Sequence, residues 1–225
     1  MEKSKSISRR KLIGNAFKGI GGLGAVALSA KAVAKTCLEP TPRQGEGPFY
    51  PVRNRADENW DLTQVGSNAA KAKGEHIFVS GRVVDQNCKP VENALVEIWQ
   101  ANVNGRYDHP ADRDPSRPLD PNFQYWGQVL TVDTGEFLFK TIYPGAYPAS
   151  RTWTRTPHIH FKVEKRGYQN LTSQWYFEGE KLNKTDLIVQ SLSKTERDNV
   201  VLKDGGVGVD KIRKFEGKVI LKGFV

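Results

Sequence analysis

Short runs of alternating apolar residues, cut apart by glycine and proline turns, constrain this chain most. Residues 76–84, 94–100, 128–132, 136–142, 158–164, 171–177 and 218–224 each concentrate β-branched and aromatic side chains over the length of one strand. The turn-rich Asp85-Gln86-Asn87-Cys88-Lys89-Pro90 separates the first two, and Asp133-Thr134-Gly135 predicts a hairpin joining 128–132 to 136–142. One short helix is expected, around 195–201. Many short strands with 21 Gly and 12 Pro to turn them bury their apolar faces best as two packed sheets or a barrel. The expected fold is therefore all-β, a single β-sandwich domain with long loops. Trp99 and Trp175 are expected in its core. The longest loop, 102–125, is where functional groups are expected to gather.

Residues 1–34 stand apart from this pattern. Ser8-Arg9-Arg10-Lys11-Leu12-Ile13 precedes an apolar, glycine-rich run over 19–30 and the small-x-small Ala32-Val33-Ala34. That order matches a twin-arginine export signal, with cleavage expected after Ala34, a periplasmic destination, and a catalytic domain over 35–225. An uncleaved amphipathic anchor is the alternative. The apolar run is shorter than the ~20 residues a membrane helix requires, so no stable span is expected after cleavage. Seven of the 34 basic residues and one of the 25 acidic ones lie in 1–34, leaving 27 against 24, a formal +3 rather than +9. With the excess charge assigned to the signal and no basic stripe interleaved with aromatics, a nucleic-acid partner is not expected. Cys37 and Cys88 would meet an oxidising compartment, where a disulfide between them is one outcome.

In 158–164, His158, His160 and Lys162 alternate with Ile159, Phe161 and Val163. Residues i and i+2 of a strand leave the same face, so both imidazoles point one way and can share a metal ion. Tyr107, in Asn104-Gly105-Arg106-Tyr107-Asp108-His109, and Tyr147, in Tyr143-Pro144-Gly145-Ala146-Tyr147-Pro148, each sit on a loop following a strand. A phenol with a pKa near ~10 is an unusual ligand, but a hard trivalent cation deprotonates it. Two phenolates with two imidazoles favour ferric iron over zinc. His76 and His109 are expected to be loop or surface residues.

Several segments together resemble the intradiol ring-cleavage dioxygenases, most closely the iron-bearing chain of the protocatechuate 3,4-dioxygenase branch. They are Val79-Ser80-Gly81-Arg82-Val83-Val84-Asp85-Gln86, Val96-Glu97-Ile98-Trp99-Gln100-Ala101-Asn102, Gly105-Arg106-Tyr107, Leu119-Asp120-Pro121-Asn122-Phe123, Pro144-Gly145-Ala146-Tyr147-Pro148, His158-Ile159-His160-Phe161 and Ser173-Gln174-Trp175-Tyr176-Phe177-Glu178-Gly179. The resemblance implies a non-haem Fe(III) centre held by Tyr107, Tyr147, His158 and His160, with Tyr147 released when substrate arrives. It implies that Arg155 lies against the substrate ring, that Gln174 stands near the oxygen side, and that Gly47-Pro48 lines the substrate mouth. The partners it implies are a catechol-type aromatic and O2, the product a cis,cis-muconate.

Other readings account for part of the pattern. The segment 79–99 also resembles transthyretin-like modules of exported proteins, which bind without metal. A zinc hydrolase would need a carboxylate beside the histidines, for which Asp108 is the nearest candidate. Within the family pattern, the 147–158 segment is two residues shorter than in the protocatechuate branch, and Ala149 stands where a bulky tryptophan is usual. Trp153 is a candidate to compensate. A roomier pocket for a substituted catechol follows, and the fused Gly-Pro feature allows a monomer or a homo-oligomer.

Overall fold

A computed structural model describes residues 37, 39–52, 59–67, 69–208 and 210–224. The expected export signal and its cleavage point lie outside the described residues. Among the described residues ten strands dominate: β1 His76–Asp85, β2 Leu95–Trp99, β3 Trp126–Leu130, β4 Glu136–Ile142, β5 Tyr147–Pro148, β6 Thr154–Arg155, β7 His158–Glu164, β8 Leu171–Phe177, β9 Val201–Val207 and β10 Arg213–Leu221. A 3-10 turn, Lys181–Lys184, and two short helices, α1 Leu187–Ser191 and α2 Lys194–Val200, fill the connection between β8 and β9. Eight strands form one sheet in the order β3-β2-β7-β8-β9-β10-β1-β4, and β5 pairs with β6 separately.

The sheet folds over on itself and buries one face. Val96 and Ile98 of β2, Ile159, Phe161 and Val163 of β7, and Leu171, Trp175 and Phe177 of β8 pack with Ile77, Val79, Val83, Phe137, Phe139, Phe215, Val219 and Leu221 from the far half. Trp175 stacks on Phe161 at 4.0 Å and on Phe137 at 5.5 Å. Full burial of each such aromatic contributes about 1.5–3 kcal/mol. The all-β sandwich expected from alternation is what forms.

The alternate residues of the same strands point outward, and here the site is built. Register pairs Trp99 with His160, His160 with Gln174, and His158 with Tyr176. Directly opposed residues on neighbouring strands share a face, so these five side chains stand together on the outer face. Loops cover them, and β7 is buried on both sides over its first four residues.

Three expectations are corrected. The turn at Asp133-Thr134-Gly135 exists, with the Gly135 N–H donating to the Val132 carbonyl at 2.8 Å. It does not make a hairpin, because β3 pairs with β2 and β4 with β1, so the turn carries the chain from one half of the sheet to the other. Trp99 leaves the main core for a second cluster with Ala101, Tyr107 and Tyr147. The last strand starts at Arg213 rather than 218. Beside it, β9 has almost no apolar alternation, yet it is held between β8 in parallel and β10 in antiparallel pairing. The expected helix is α2, opened by a capping box between Ser193 and Glu196.

Cys37 and Cys88 form a disulfide with Cα atoms 5.4 Å apart. From there the N-terminal strap crosses the sheet. Its Thr41 N–H donates to the Ile220 carbonyl at 3.1 Å, the Gln44 N–H donates to the Thr172 carbonyl at 2.9 Å, and Ser173 Oγ donates to the Pro42 carbonyl at 2.7 Å. The strap ends over the outer face at Gly47. Among the described residues, no helix is long and apolar enough to cross a membrane.

Candidate metal centre

Strand β7 delivers His158 and His160 with their Nε2 atoms 3.2 Å apart. Tyr107 Oη lies 3.3 Å from His158 Nε2. Tyr147 stands perpendicular to Tyr107 with ring centroids 5.6 Å apart, and 5.7 Å from the His158 ring. Two loops bring the tyrosines together. Gly105, at φ +71°, packs against the Ala146 carbonyl, and Gly145 packs against the Gly105 N–H and the Val103 carbonyl. A Cβ at either position would collide with backbone, so the two loops meet main chain to main chain. Asp112, 5% exposed, holds the Tyr107 N–H at 2.9 Å and is itself bridged by Arg106 and Arg117. The guanidinium of Arg117 lies 5.9 Å from the Tyr147 ring centre.

Burial sets the protonation of this group. His158 Nδ1 is 2.6 Å from the Thr156 carbonyl. A carbonyl only accepts, so Nδ1 carries the proton and Nε2 presents its lone pair to the site. Burial, reinforced by the Arg155 charge, pushes His158 down to about 3, and burial with the neighbouring His158 and Arg155 holds His160 well below the usual histidine range. Burial raises the Tyr107 phenol well above its ordinary value, with Tyr147 adding to it, and burial raises Tyr147 as well. Two neutral imidazoles and two neutral phenols thus face one another.

This donor set fits a hard cation. The Nε2 atoms of His158 and His160 converge beside a phenol oxygen, and His160 Nδ1 is buried without a hydrogen-bond partner among the described residues. Polar atoms gathered in this way in a water-poor site are favourable when a cation stands between them. Among the described residues, no three His, Cys, Asp or Glu side chains converge. Asp108 therefore joins no carboxylate–histidine group of the kind a zinc hydrolase would use.

On the far side, β6 sets Arg155 opposite Tyr147 in register. Arg155 Nε donates to Asp186 Oδ2 at 2.8 Å, and its Nη2 donates to Gln174 Oε1 at 2.7 Å. Gln174 Nε2 in turn donates to the Gly45 carbonyl at 3.1 Å. Trp153 stacks over the Arg155 guanidinium, 5.5 Å from its carbon to the ring centre. Gly47 lies against His160, where a Cβ would come 3.3 Å from Cε1, and both Gly47 and Pro48 are exposed. All eight residues singled out in the sequence thus lie on strands, on the strap or, for Tyr107, on the loop after β2, and border one outer-face region. His76 does not; its Nε2 contacts the Ala72 carbonyl at 2.9 Å. His109 is half-buried on the loop, 5.9 Å from the Phe49 ring.

Several residues of the region escaped sequence reasoning. Phe49 stacks on Tyr107 at 4.7 Å, and Trp99 stacks on His160 at 5.0 Å with ring planes 11° apart. Tyr50 packs edge-on against Trp99 at 4.9 Å and donates to Glu97 at 3.2 Å. Tyr176 donates to Gln44 Oε1 at 2.6 Å. Period two marks Tyr176 as the neighbour of Gln174 on the outer face, so that signal was available. Asp186 carried only the mark of a helix cap.

The family profile described as Dioxygenase matches residues 45–213. The protocatechuate 3,4-dioxygenase beta chain of Burkholderia cepacia is 39% identical over 168 residues, covering 73% of this chain and 71% of that one. Catechol 1,2-dioxygenase of Candida albicans is 34% identical over 145 residues, 58% of this chain and 45% of its own length, so the chain spans less than half of that relative. Among solved structures, the dioxygenase domain of a dioxygenase carbohydrate-binding protein fusion from Streptomyces sp. SirexAA-E superposes with a TM-score of 0.62 at 30% identity, covering 83% of this chain and 100% of that one. The 3-chlorocatechol 1,2-dioxygenase of Rhodococcus opacus 1CP shares the fold, with a TM-score of 0.63 at 21% identity over 97% of this chain and 90% of its own. A non-catalytic transthyretin-like module is thereby set aside: the chain belongs to the intradiol ring-cleavage dioxygenases, oxidoreductases that incorporate both atoms of O2.

Proposed function

We propose that this chain is a non-haem Fe(III) enzyme that opens a catechol-type ring with O2 between its two hydroxylated carbons, giving a cis,cis-muconate. Tyr107, Tyr147, His158 and His160 are the iron ligands in this reading. The observation that carries it is the convergence of Tyr107 Oη, His158 Nε2 and His160 Nε2 within 3.2–3.3 Å contacts in a buried region. When bound, ferric iron supplies Lewis acidity and draws electron density from the substrate ring toward O2.

The protein's own groups do the rest. Tyr147 sits on a two-residue strand and is the most exposed of the four, at 8%, which suits it to be the ligand that yields to substrate. Burial raises its phenol pKa, so a freed Tyr147 phenolate takes a proton from a catechol hydroxyl readily. Arg155, held on its Nε side by Asp186, turns its remaining N–H groups toward Tyr147 and Gln174 and stabilises negative charge on the ring. Gly47, Pro48 and Phe49 form the mouth. Ala149 in place of a bulky residue supports a substituted catechol, while Trp153 is committed to stacking on Arg155. The twin-arginine signal over 1–34 supports export to the periplasm, with residues 35–225 as the catalytic domain. The strap reaching the mouth from the same chain supports action as a monomer or homo-oligomer.

Ferric reconstitution with metal analysis, followed by oxygen uptake on catechol, protocatechuate, hydroxyquinol and bulkier catechols, tests this. The expected results are one iron per chain, a burgundy to red tyrosinate absorption, and intradiol products. A protein that stays colourless with ferric iron, or extradiol products, refutes it.

A further inference from the structure

The side chain of Asp186 is wholly buried, and its two oxygens divide their work between the fold and the site. Oδ1 accepts the N–H groups of Ile188 at 2.9 Å and Val189 at 3.2 Å, capping helix α1. Oδ2 accepts Arg155 Nε–H at 2.8 Å and the Thr156 N–H at 2.9 Å. Thr156 also presents its carbonyl, in the next peptide unit across its Cα, to His158 Nδ1 at 2.6 Å. One oxygen atom therefore restrains two groups of the centre at once. It holds the guanidinium that faces the ring, and it holds Thr156, the residue whose carbonyl sets the tautomer and tilt of His158.

Chemistry explains why a carboxylate is needed at that point. Arg155 is 5% exposed, and a buried guanidinium without a counter-charge is strongly unfavourable. The Nε–H and the Thr156 N–H converge on one acceptor, which an anion satisfies better than a neutral carbonyl. An Asp side chain is short and pinned at Oδ1 by the helix, so Oδ2 has little freedom. The helix cap thus becomes a fixed reference for two functional groups that lie 30 and 31 residues earlier.

We propose that Asp186 is a positioning residue for this reaction, acting through two separable arms: Arg155 toward the substrate and Thr156–His158 toward the iron. This rests on the ferric reading above. In Asp186→Asn, the amide oxygen can keep the helix cap while the NH2 group meets two donors at the Oδ2 position. Asp186→Ser also caps a helix well but reaches neither Arg155 nor Thr156, and it serves if the amide variant fails to fold.

The test uses iron-loaded protein, and wild type must first show one iron per chain and the tyrosinate absorption; its failure there refutes the ferric reading and not this one. For both variants the expected result is an unchanged far-UV spectrum, iron release to a chelator about 10–100-fold faster, and kcat lower by about 10–100-fold, the usual cost of losing an outer-sphere partner. A cycle with Arg155→Lys separates the arms. In that background Asp186→Asn should lose most of its effect on kcat yet still accelerate iron release. Variants that fold and release iron and turn over at wild-type rates overturn the proposal. So does an iron-release effect that disappears in the Arg155→Lys background, since that would leave the histidine arm without a role.

Discussion

His158 and His160 leave the same face of one strand, two residues apart, and are held by opposite means. His158 is fixed by a directional bond, Nδ1 to the Thr156 carbonyl at 2.6 Å, and the N–H of the same residue is anchored in turn on Asp186. Among the described residues, His160 finds no hydrogen-bond partner at Nδ1. It stacks on the Trp99 indole, 5.0 Å away, and Gly47 lies close to its Cε1. Hydrogen bonding sets both the tautomer and the tilt of a ring, whereas stacking sets its plane and leaves the tautomer free. One side of the centre is organised by polar bonds from the β6–α1 direction, the other by shape from the strap and β2.

The largest effect should come from removing either ring. His158→Ala and His160→Ala are each expected to abolish the tyrosinate absorption and lower turnover by about 10³-fold or more, in line with losing transition-state stabilisation worth ~4 kcal/mol. Imidazole added to the solution should restore absorption better in His160→Ala, whose site wants shape alone. Equal or absent rescue in both would remove the distinction.

Next in size is the acid sensitivity of the metal-free protein. The folded pKa of His158, about 3, lies below its unfolded value near ~6.5, so the unfolded chain binds that proton first. Stability is therefore full above pH ~6.5 and falls as pH drops, by ~1.4 kcal/mol per unit from this residue. His160 shifts in the same direction. Denaturant titrations of the metal-free protein at pH 7 and 5.5 should show the loss, and His158→Gln should make it shallower, leaving the share of His160. A flat profile in the wild type would contradict the burial argument.

Gly105→Ala should cost about 2–4 kcal/mol, because it forces a side chain into a left-handed conformation and against the Ala146 carbonyl. Thermal melts and iron content would both drop, since Tyr107 and Tyr147 depend on that contact. The smallest effect belongs to the stacked side of the comparison. Trp99→Phe keeps an aromatic face on His160 and should change iron release by about 3-fold or less. Trp99→Leu should speed it by about 10-fold, the scale of a stacking contribution near ~1 kcal/mol. If the leucine variant releases iron at the wild-type rate, His160 is held by the strap rather than by the indole.

Much of this architecture was legible where geometry is local. Strands β4, β7 and β8 begin and end where alternation places them, since a period of two is a property of the strand itself. The same rule put His158 and His160 on one face. It failed at Asp133-Thr134-Gly135, because a turn signal reports a reversal of the chain and says nothing about which strands will pair. It also missed β9, whose Lys203, Asp204, Gly205 and Gly206 carry no strand pattern and are drafted into the sheet by two neighbours. Trp99 was misplaced for a related reason. A large apolar residue must be buried, but the chain alone does not say under which layer.

What the sequence determined by itself, then, is the chemistry on offer: a same-face histidine pair, two loop tyrosines, an arginine three residues ahead, and enough strand pattern to impose a sandwich. Tertiary structure decided which of these groups meet and how firmly each is held. It brought Oδ2 of Asp186 to Arg155 across 31 residues, turned the outer face of β7 into an interior, and laid Trp99 on His160. The physical reason is range. Side-chain direction along a strand is set within a few bonds, whereas burial, counter-charge and stacking depend on segments that meet only when the sheet closes and the loops fold over it.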